Sequence, residues 1–184
     1  MPLEFRQIPE ATIDAVEEPS LRALFDHWQR IRGSRTVPLR ANFDPLDVPL
    51  LLKDLFLVEV HGREPPWRFR YRVAGTGISK FVGQDYTGRF VDEIFPPPAR
   101  SIVEEFYSAP VRLRMPVYSS SRLIVPWSQV SKRVSRLVVP LSLAGQSVDM
   151  LLSGQHYDQA AGARTKRDFL KDYELENIFA VRPY

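Results

Sequence analysis

The sequence predicts an α+β domain built on an antiparallel sheet, and three observations carry that prediction. In "WRFRYRV", Trp67, Phe69, Tyr71 and Val73 alternate with Arg68, Arg70 and Arg72, the period of two that a half-buried strand requires. In "PSLRALFDHWQRIRG", Leu21, Leu24, Phe25, Trp28 and Ile31 fall at helical spacing, so one face of that segment is apolar. The order of the predicted elements is helix, two strands, short helices, three strands, which suits an α+β domain better than alternating βαβ units. With 184 residues, 44% of them hydrophobic, the chain can enclose one core but hardly two.

Taken in order, residues 1–18 read as an irregular arm. It holds five acids and one arginine, with no apolar stretch of signal-peptide length. Residues 19–54 comprise the helix, with Ser20 as a candidate N-cap and Gly33 as its stop. A connector follows, broken by Pro38, Pro45 and Pro49, with room for a short helical turn near residues 46–53. Residues 55–157 form the core domain. It starts with the strand "LFLVEV", a turn at "REPP", and the alternating strand. "PPPARSIVEEFYSAP" predicts a helix that Pro110 ends or kinks. Strands are expected at "VYSSSRLIV", "RVSRLVVPLSL" and "SVDMLLSGQHY", the last two joined by a tight turn at Ala144–Gly145. In the tail, residues 158–184, Phe169, Leu170, Tyr173 and Phe179 approach helical spacing, which predicts a helix lying over the domain or docking on a neighbour.

The glycine-rich stretch after the alternating strand is not a nucleotide loop. Gly75 and Gly77 fit G-x-G-x-x-G, but Lys80 stands where the third glycine belongs, and the Gly83–Gly88 spacing of a P-loop is followed by Arg89 and Phe90 instead of Lys and Ser or Thr. The sequence contains no cysteine, which removes disulfides, thiolate nucleophiles and cysteine-held clusters. There is no G-x-S-x-G elbow and no H-E-x-x-H, and the expectation is of a protein that is not an enzyme, with no catalytic residues and no metal ligands. No span of eighteen apolar residues occurs, so a cytoplasmic protein without a membrane span is expected.

Charge is unevenly distributed. The first eighteen residues sum to −4, whereas from Phe106 to Val148 there is no acid and there are six bases: Arg112, Arg114, Arg122, Lys132, Arg133 and Arg136. This flank and the row Arg68, Arg70, Arg72 are candidate anion-binding groups, with a solvated sheet face as the plainer account. A basic-surface nucleic-acid-binding protein is the alternative function they raise, although no recognition helix or RNA-sheet motif accompanies them.

The segments "HWQRIRGSRTVPLRANFDPLDVPLLLKDLFLVEV", "RFRYRVAGTGISKFVGQDYTGRFVDEIF" and "RLVVPLSLAGQSVDMLLSG" together resemble the bacterial PAS family of sensor domains, in a stand-alone variant with an extra amino-terminal helix. Gly83, Thr87, Gly88, Phe90, Val91, Glu93, Ile94 and Phe95 carry the pattern of the likeness, which spans about residues 20–156. It implies a five-stranded antiparallel sheet with short helices packed on one face and the amino-terminal helix added to it. Gly75, Gly83 and Gly88 are then the places where backbone bends around a small pocket, and Asp92 and Glu93 are structural charges in the first turn of a short helix.

The resemblance further implies a sensory or regulatory module that binds a small organic ligand, a protein partner, or both. Family members use the enclosed space for haem, flavin, other ligands or side chains alone. Absent cysteine excludes a cysteinyl–flavin adduct, and the lack of histidine in residues 98–109 disfavours histidine-ligated haem; the cofactor is otherwise unknown. Candidate pocket residues are Phe81, Phe90, Ile94, Phe106, Leu123, Leu137, Val139 and Met150. Candidate partner-facing residues are Leu21, Leu24, Phe25 and Trp28 on the helix and Trp127 in a basic loop. Only 28 residues follow His156, so the signal is expected to reach a separate signalling protein or a second copy in a dimer. His61 and His156 end strands that are neighbours in such a sheet, and would share one end if those strands ran parallel, near Glu59 and Asp158. An enzyme using the same cavity is a third reading.

Overall fold

The structure is a computed structural model that describes residues 8–97, 99–125, 130–157 and 173–184, the side chains of residues 81–82, 123–125, 130–132 and 173–174 lying outside that description. Its elements are β1 (Glu10–Ala11), α1 (Pro19–Arg32), β2 (Leu55–His61), β3 (Arg68–Ala74), α2 (Thr76–Val82), α3 (Val91–Ile94), α4 (Ala99–Leu113), β4 (Val117–Val125), β5 (Val130–Leu141), β6 (Met150–Tyr157) and β7 (Tyr173–Val181). The connector between α1 and β2 winds through short 3₁₀ turns, the longest over Pro49–Asp54. The expected α+β architecture is present, with one difference in the sheet.

That sheet has seven strands in the order β1-β7-β4-β5-β6-β2-β3. The five strands expected from the sequence form its contiguous antiparallel part, β4-β5-β6-β2-β3. Beyond β4 the sheet continues into β7, paired antiparallel, and β1, paired parallel to β7, so the whole is mixed. Over Tyr173–Val181 the expectation of a helical tail is therefore corrected to a strand. β7 pairs with β4 from Val117–Ala180 to Leu123–Tyr173, with a bulge near Ser120 and Ser121 that interrupts the alternation, and the helical reading also drew on Phe169 and Leu170, which lie outside the described residues. Phe179 stacks on Tyr118 of β4 with ring centroids 4.8 Å apart.

Pro110 neither ends nor interrupts α4, which runs on to Leu113. Proline at that position forfeits a single helical hydrogen bond, in the last turn, where the chain has little helix left to lose. The β5–β6 connection is wider than a tight turn. Gly145 has φ +85°, and Asp149 pins the loop by accepting from Ser142 Oγ (3.2 Å), the Leu143 amide (2.7 Å) and Ser147 Oγ (2.6 Å).

Both faces of the sheet are covered. On one, α1 and the connector meet Leu55, Leu57, Tyr118, Leu137, Val139, Leu141, Met150 and Leu152. Leu21, Leu24, Phe25 and Trp28 are all 0–1% exposed within that cluster, and the Trp28 indole N–H donates to the Pro140 carbonyl at 2.8 Å. The helix thus spends its apolar face on its own sheet, and these four residues are not the partner surface the sequence suggested; burying several large side chains here outweighs leaving them for an outside contact. On the other face α2, α3 and α4 cover Phe56, Val58, Phe69, Tyr71, Val138 and Leu151.

Gly83 closes α2 with φ +76°, and Gly88 has φ +82°, the left-handed geometry that side chains resist. Gly75 works differently. Its φ is −62°, but a Cβ there would lie 2.9 Å from the Leu52 carbonyl oxygen and closer still to that of Lys53, so glycine is required for α2 to dock against the 3₁₀ turn.

Two outcomes follow for stability. Gly75→Ala should lower the unfolding free energy by about 1–3 kcal/mol, as overpacking against backbone does, and a urea midpoint measures it. His27, 3% exposed beside Arg30 and Asp47, has its pKa lowered by burial and then by the Arg30 charge, against a raising pull from Asp47 and Asp44. Below the ordinary value of ~6.5 the unfolded chain therefore takes up more protons here than the folded one, and stability falls as pH falls. The melting temperature should drop between pH 7 and pH 5, and the drop should be smaller in His27→Gln.

Candidate functional site

The period-two geometry of β4, β5 and β6 decides which side chains meet beneath α2–α4. Leu137, Val139 and Met150 point under α1; their neighbours Arg136, Val138, Leu151, Ser153, Gln155 and Tyr157 point the other way. Cross-strand register sets Arg136 opposite Gln155 and Ser119, and Ser121 opposite Val134. Beyond Val138 and Leu151, this covered face is therefore polar toward the Arg136–Gln155 end, where close packing would favour aliphatic groups.

Hydrogen bonds join several of these side chains to one another. Arg136 Nη1 donates to Ser121 Oγ at 2.8 Å, and the Tyr157 hydroxyl donates to Gln155 Oε1 at 2.6 Å. The Tyr107 hydroxyl, from α4, donates to the Tyr71 hydroxyl of β3 at 3.3 Å. Ser153 is 1% exposed, and its Oγ finds no partner among the described residues, an arrangement that costs free energy unless something fills the gap. Rings surround these groups: Tyr71 lies 4.7 Å from Phe56, 5.4 Å from Tyr86 and 6.0 Å from Tyr107, and Phe69 lies 5.4 Å from Tyr107.

Burial raises the Tyr107 phenol to about 12 and also raises Tyr71, Tyr86 and Tyr157, with the Arg136 charge pulling Tyr71, Tyr107 and Tyr157 back down. At neutral pH all four remain neutral hydroxyls. One cation, several neutral hydroxyls and flat aromatic walls suit recognition of a small molecule bearing acceptors, and none of these groups is poised to exchange a proton near pH 7.

The pocket residues expected from sequence do not form one site. Ile94 packs into the cluster beneath the short helices, and Phe106 is buried on α4. Leu137, Val139 and Met150 lie on the opposite face, under α1, because each sits one residue out of phase with the inner face. Phe90 is only half-buried at the β3 edge, with the Arg68 guanidinium 3.8 Å from its ring centroid and His61 5.2 Å away. The side chains of Phe81 and Leu123, and the whole of Trp127, lie outside the described residues.

The arginine row of β3 is not a free anion grip. Arg68 pairs with Asp92 at 2.8 Å, Arg72 with Glu59 at 2.8 Å, and Arg70 with Glu59 at 3.5 Å while donating to the Gly88 carbonyl at 3.0 Å. These contacts hold the Asp92 and Glu59 carboxyls below their ordinary range, the Arg68 and Arg72 hydrogen bonds leading in each case. Glu93 keeps the structural role expected of it, accepting from the Phe90 amide at 3.0 Å at the start of α3. In the acid-free window, Arg112 pairs with Glu105, Arg122 with Glu176, and Arg133 with Glu17 and Glu176. Those pairs remove much of the uncompensated charge that nucleic acid would need. His61 and His156 fall at opposite ends of the sheet because β2 and β6 run antiparallel, Leu55 opposite Gly154 and Glu59 opposite Met150; the shared-end arrangement required parallel strands. Asp158 lies outside the described residues.

Sequence reading missed Tyr107, Arg136, Ser153, Gln155 and Tyr157 as a group. One signal was present: in "LLSGQHY" Ser153, Gln155 and Tyr157 continue the parity of Leu151, placing polar groups on one side of a strand expected to be central. No helix among the described residues is long and apolar enough to cross a membrane.

Against known proteins, neither a curated protein nor a solved structure matches the chain. A family described as PAS domain does match, over residues 16–153, from just before α1 into β6. That span takes in most of the chain and agrees with the antiparallel strands and short covering helices described above. The chain belongs to the PAS domain family.

Proposed function

We propose that this domain is a sensor for a small organic molecule, bound between the inner face of β4–β6 and the helices α2–α4, and that occupancy is passed to a separate signalling protein or to a second copy of the chain. PAS domains are in general sensory and regulatory, and a sensory or regulatory module is the coarse function of this one. The finer reading is carried by one observation, the buried and unpartnered Ser153 hydroxyl, which lies opposite Val138 and Phe56 on the face of β6 that also carries Gln155 and Tyr157. A core evolved only for packing gains nothing from such a group, whereas a ligand acceptor or donor would satisfy it. The aromatic walls favour a flat or partly apolar ligand body, and Arg136 with the neutral hydroxyls favours oxygen acceptors on it.

Native mass spectrometry of freshly purified protein, with its ultraviolet and visible spectrum, tests this directly: a retained mass or an absorbing ligand is expected. Ser153→Ala should leave the empty protein as stable or more so by about 1 kcal/mol, since an unsatisfied hydroxyl is removed, while reducing ligand retention. If the wild type carries nothing and no acceptor-bearing aromatic compound raises its melting temperature, the ligand reading fails and the polar face is structural.

A further inference from the structure

A concavity lies where the chain leaving α1, the end of α4 and the β5–β6 loop converge. It encloses about 250 Å³ and is lined by Arg35, Arg114, Ser34, Thr36, Gln146 and Ser147 among others, with no acid in its wall. The two guanidinium groups arrive from separate elements. Among the described residues, neither Arg35 nor Arg114 has a carboxylate within ion-pair range, in contrast to the paired arginines of β3.

Arg114 is held there at a cost. Its φ is +55°, and it is the one non-glycine residue with positive φ among those described. The position directly follows α4, where glycine is the ordinary choice and a larger residue is strained by about 1 kcal/mol or more. Its Nη2 donates to the Gln146 carbonyl at 2.9 Å, which aims the guanidinium across the opening. The plain alternative is that basic residues here offset the negative ends of two helices. That role is already supplied by Arg30 and Arg32 in the last turn of α1 and by Arg112 in that of α4.

The walls are fixed by backbone bonds: the Arg40 amide donates to the Ser142 carbonyl at 2.7 Å, and the Ser142 amide to the Pro38 carbonyl at 2.9 Å. Asp149, at the end of the β5–β6 loop, accepts from three donors of that loop, Ser147 Oγ among them. Ser34 and Thr36 contribute hydroxyls at the rim.

We propose that this depression is a binding site for a phosphoryl group, carried on a small phosphorylated metabolite and gripped by Arg35 and Arg114. Two planar donor forks match the several oxygens of a dianion better than the two of a carboxylate. The volume is below that of drug-sized pockets, and the depression is open to solvent, so it suits a phosphoryl group held inside with a small organic portion at the opening. The site is independent of the inner ligand face, and its occupancy would tie the α1–β2 connector to the end of α4.

The test is calorimetric titration of the full chain at low ionic strength with inorganic phosphate, glycerol 3-phosphate and acetate. Saturable binding of a phosphoryl compound is expected, with acetate weaker. Tighter binding of glycerol 3-phosphate than of phosphate identifies a metabolite site; equal affinity keeps the phosphoryl chemistry and overturns the metabolite. Arg114→Gly should weaken binding about tenfold or more, as loss of a charge-assisted contact does, while its urea midpoint stays level or rises through relief of backbone strain. Arg35→Gln should weaken binding similarly. No saturable phosphate or glycerol 3-phosphate binding in the wild type, acetate binding as tightly, or affinity unchanged in both variants would overturn the proposal.

Discussion

The strands at the middle of this sheet are buried on both faces, and the rest of the architecture depends on that constraint. Each residue of β6 from Met150 to Gln155 is buried, so alternate side chains must satisfy two unlike environments at once. One environment is aliphatic: α1 lies across the sheet with Leu21 and Leu24 close enough to Gly154 that a Cβ there would meet both. The other is aromatic and polar. An antiparallel sheet with one solvated face would have imposed only half of these demands. Without α1, the Leu137, Val139, Leu141 and Leu152 row would be an exposed apolar sheet face.

Electrostatics follow from the same layering. The amino-terminal acids that look segregated in the sequence are brought against distant bases by folding: Glu17 reaches Arg133 of the basic window at 3.1 Å, and Glu10 reaches Arg182 near the carboxyl end at 3.2 Å. Most of these pairs are solvent-exposed and add little stability singly, but they change what the surface offers a partner. The strongest cationic row, on β3, becomes a lattice of ion pairs with Glu59 and Asp92. Where arginines are left without acids, beside the β5–β6 loop, the surface is also concave.

The two sites proposed for the domain differ in kind. The inner face offers neutral hydroxyls, rings and one cation in a desolvated setting, where hydrogen bonds discriminate strongly between ligands. The outer depression offers two cations at the surface, where binding weakens with salt. They share α4, which contributes Tyr107 to the inner face and ends at Arg114 on the outer one.

Much of the fold was legible because local chemistry agreed with it. The helical spacing around Trp28, the strict alternation of residues 67–73 and the glycines at 83 and 88 each announced an element that the structure contains, and the family likeness ordered them. The tail was misread because period two and period 3.6 overlap in a short apolar segment, and only pairing with β4 settles which applies. The site was less legible. The sequence by itself determined α1 and the strands and helices from Leu55 to Tyr157, the absence of thiol chemistry and the charge totals, all properties of neighbouring residues and composition. Tertiary structure alone decided which face of the sheet each strand residue occupies, which acid neutralises which base, and that Arg136 lies opposite Gln155 on the face that also carries Ser153. Those facts depend on register and layering between segments far apart in the chain, and local sequence carries no measure of that distance.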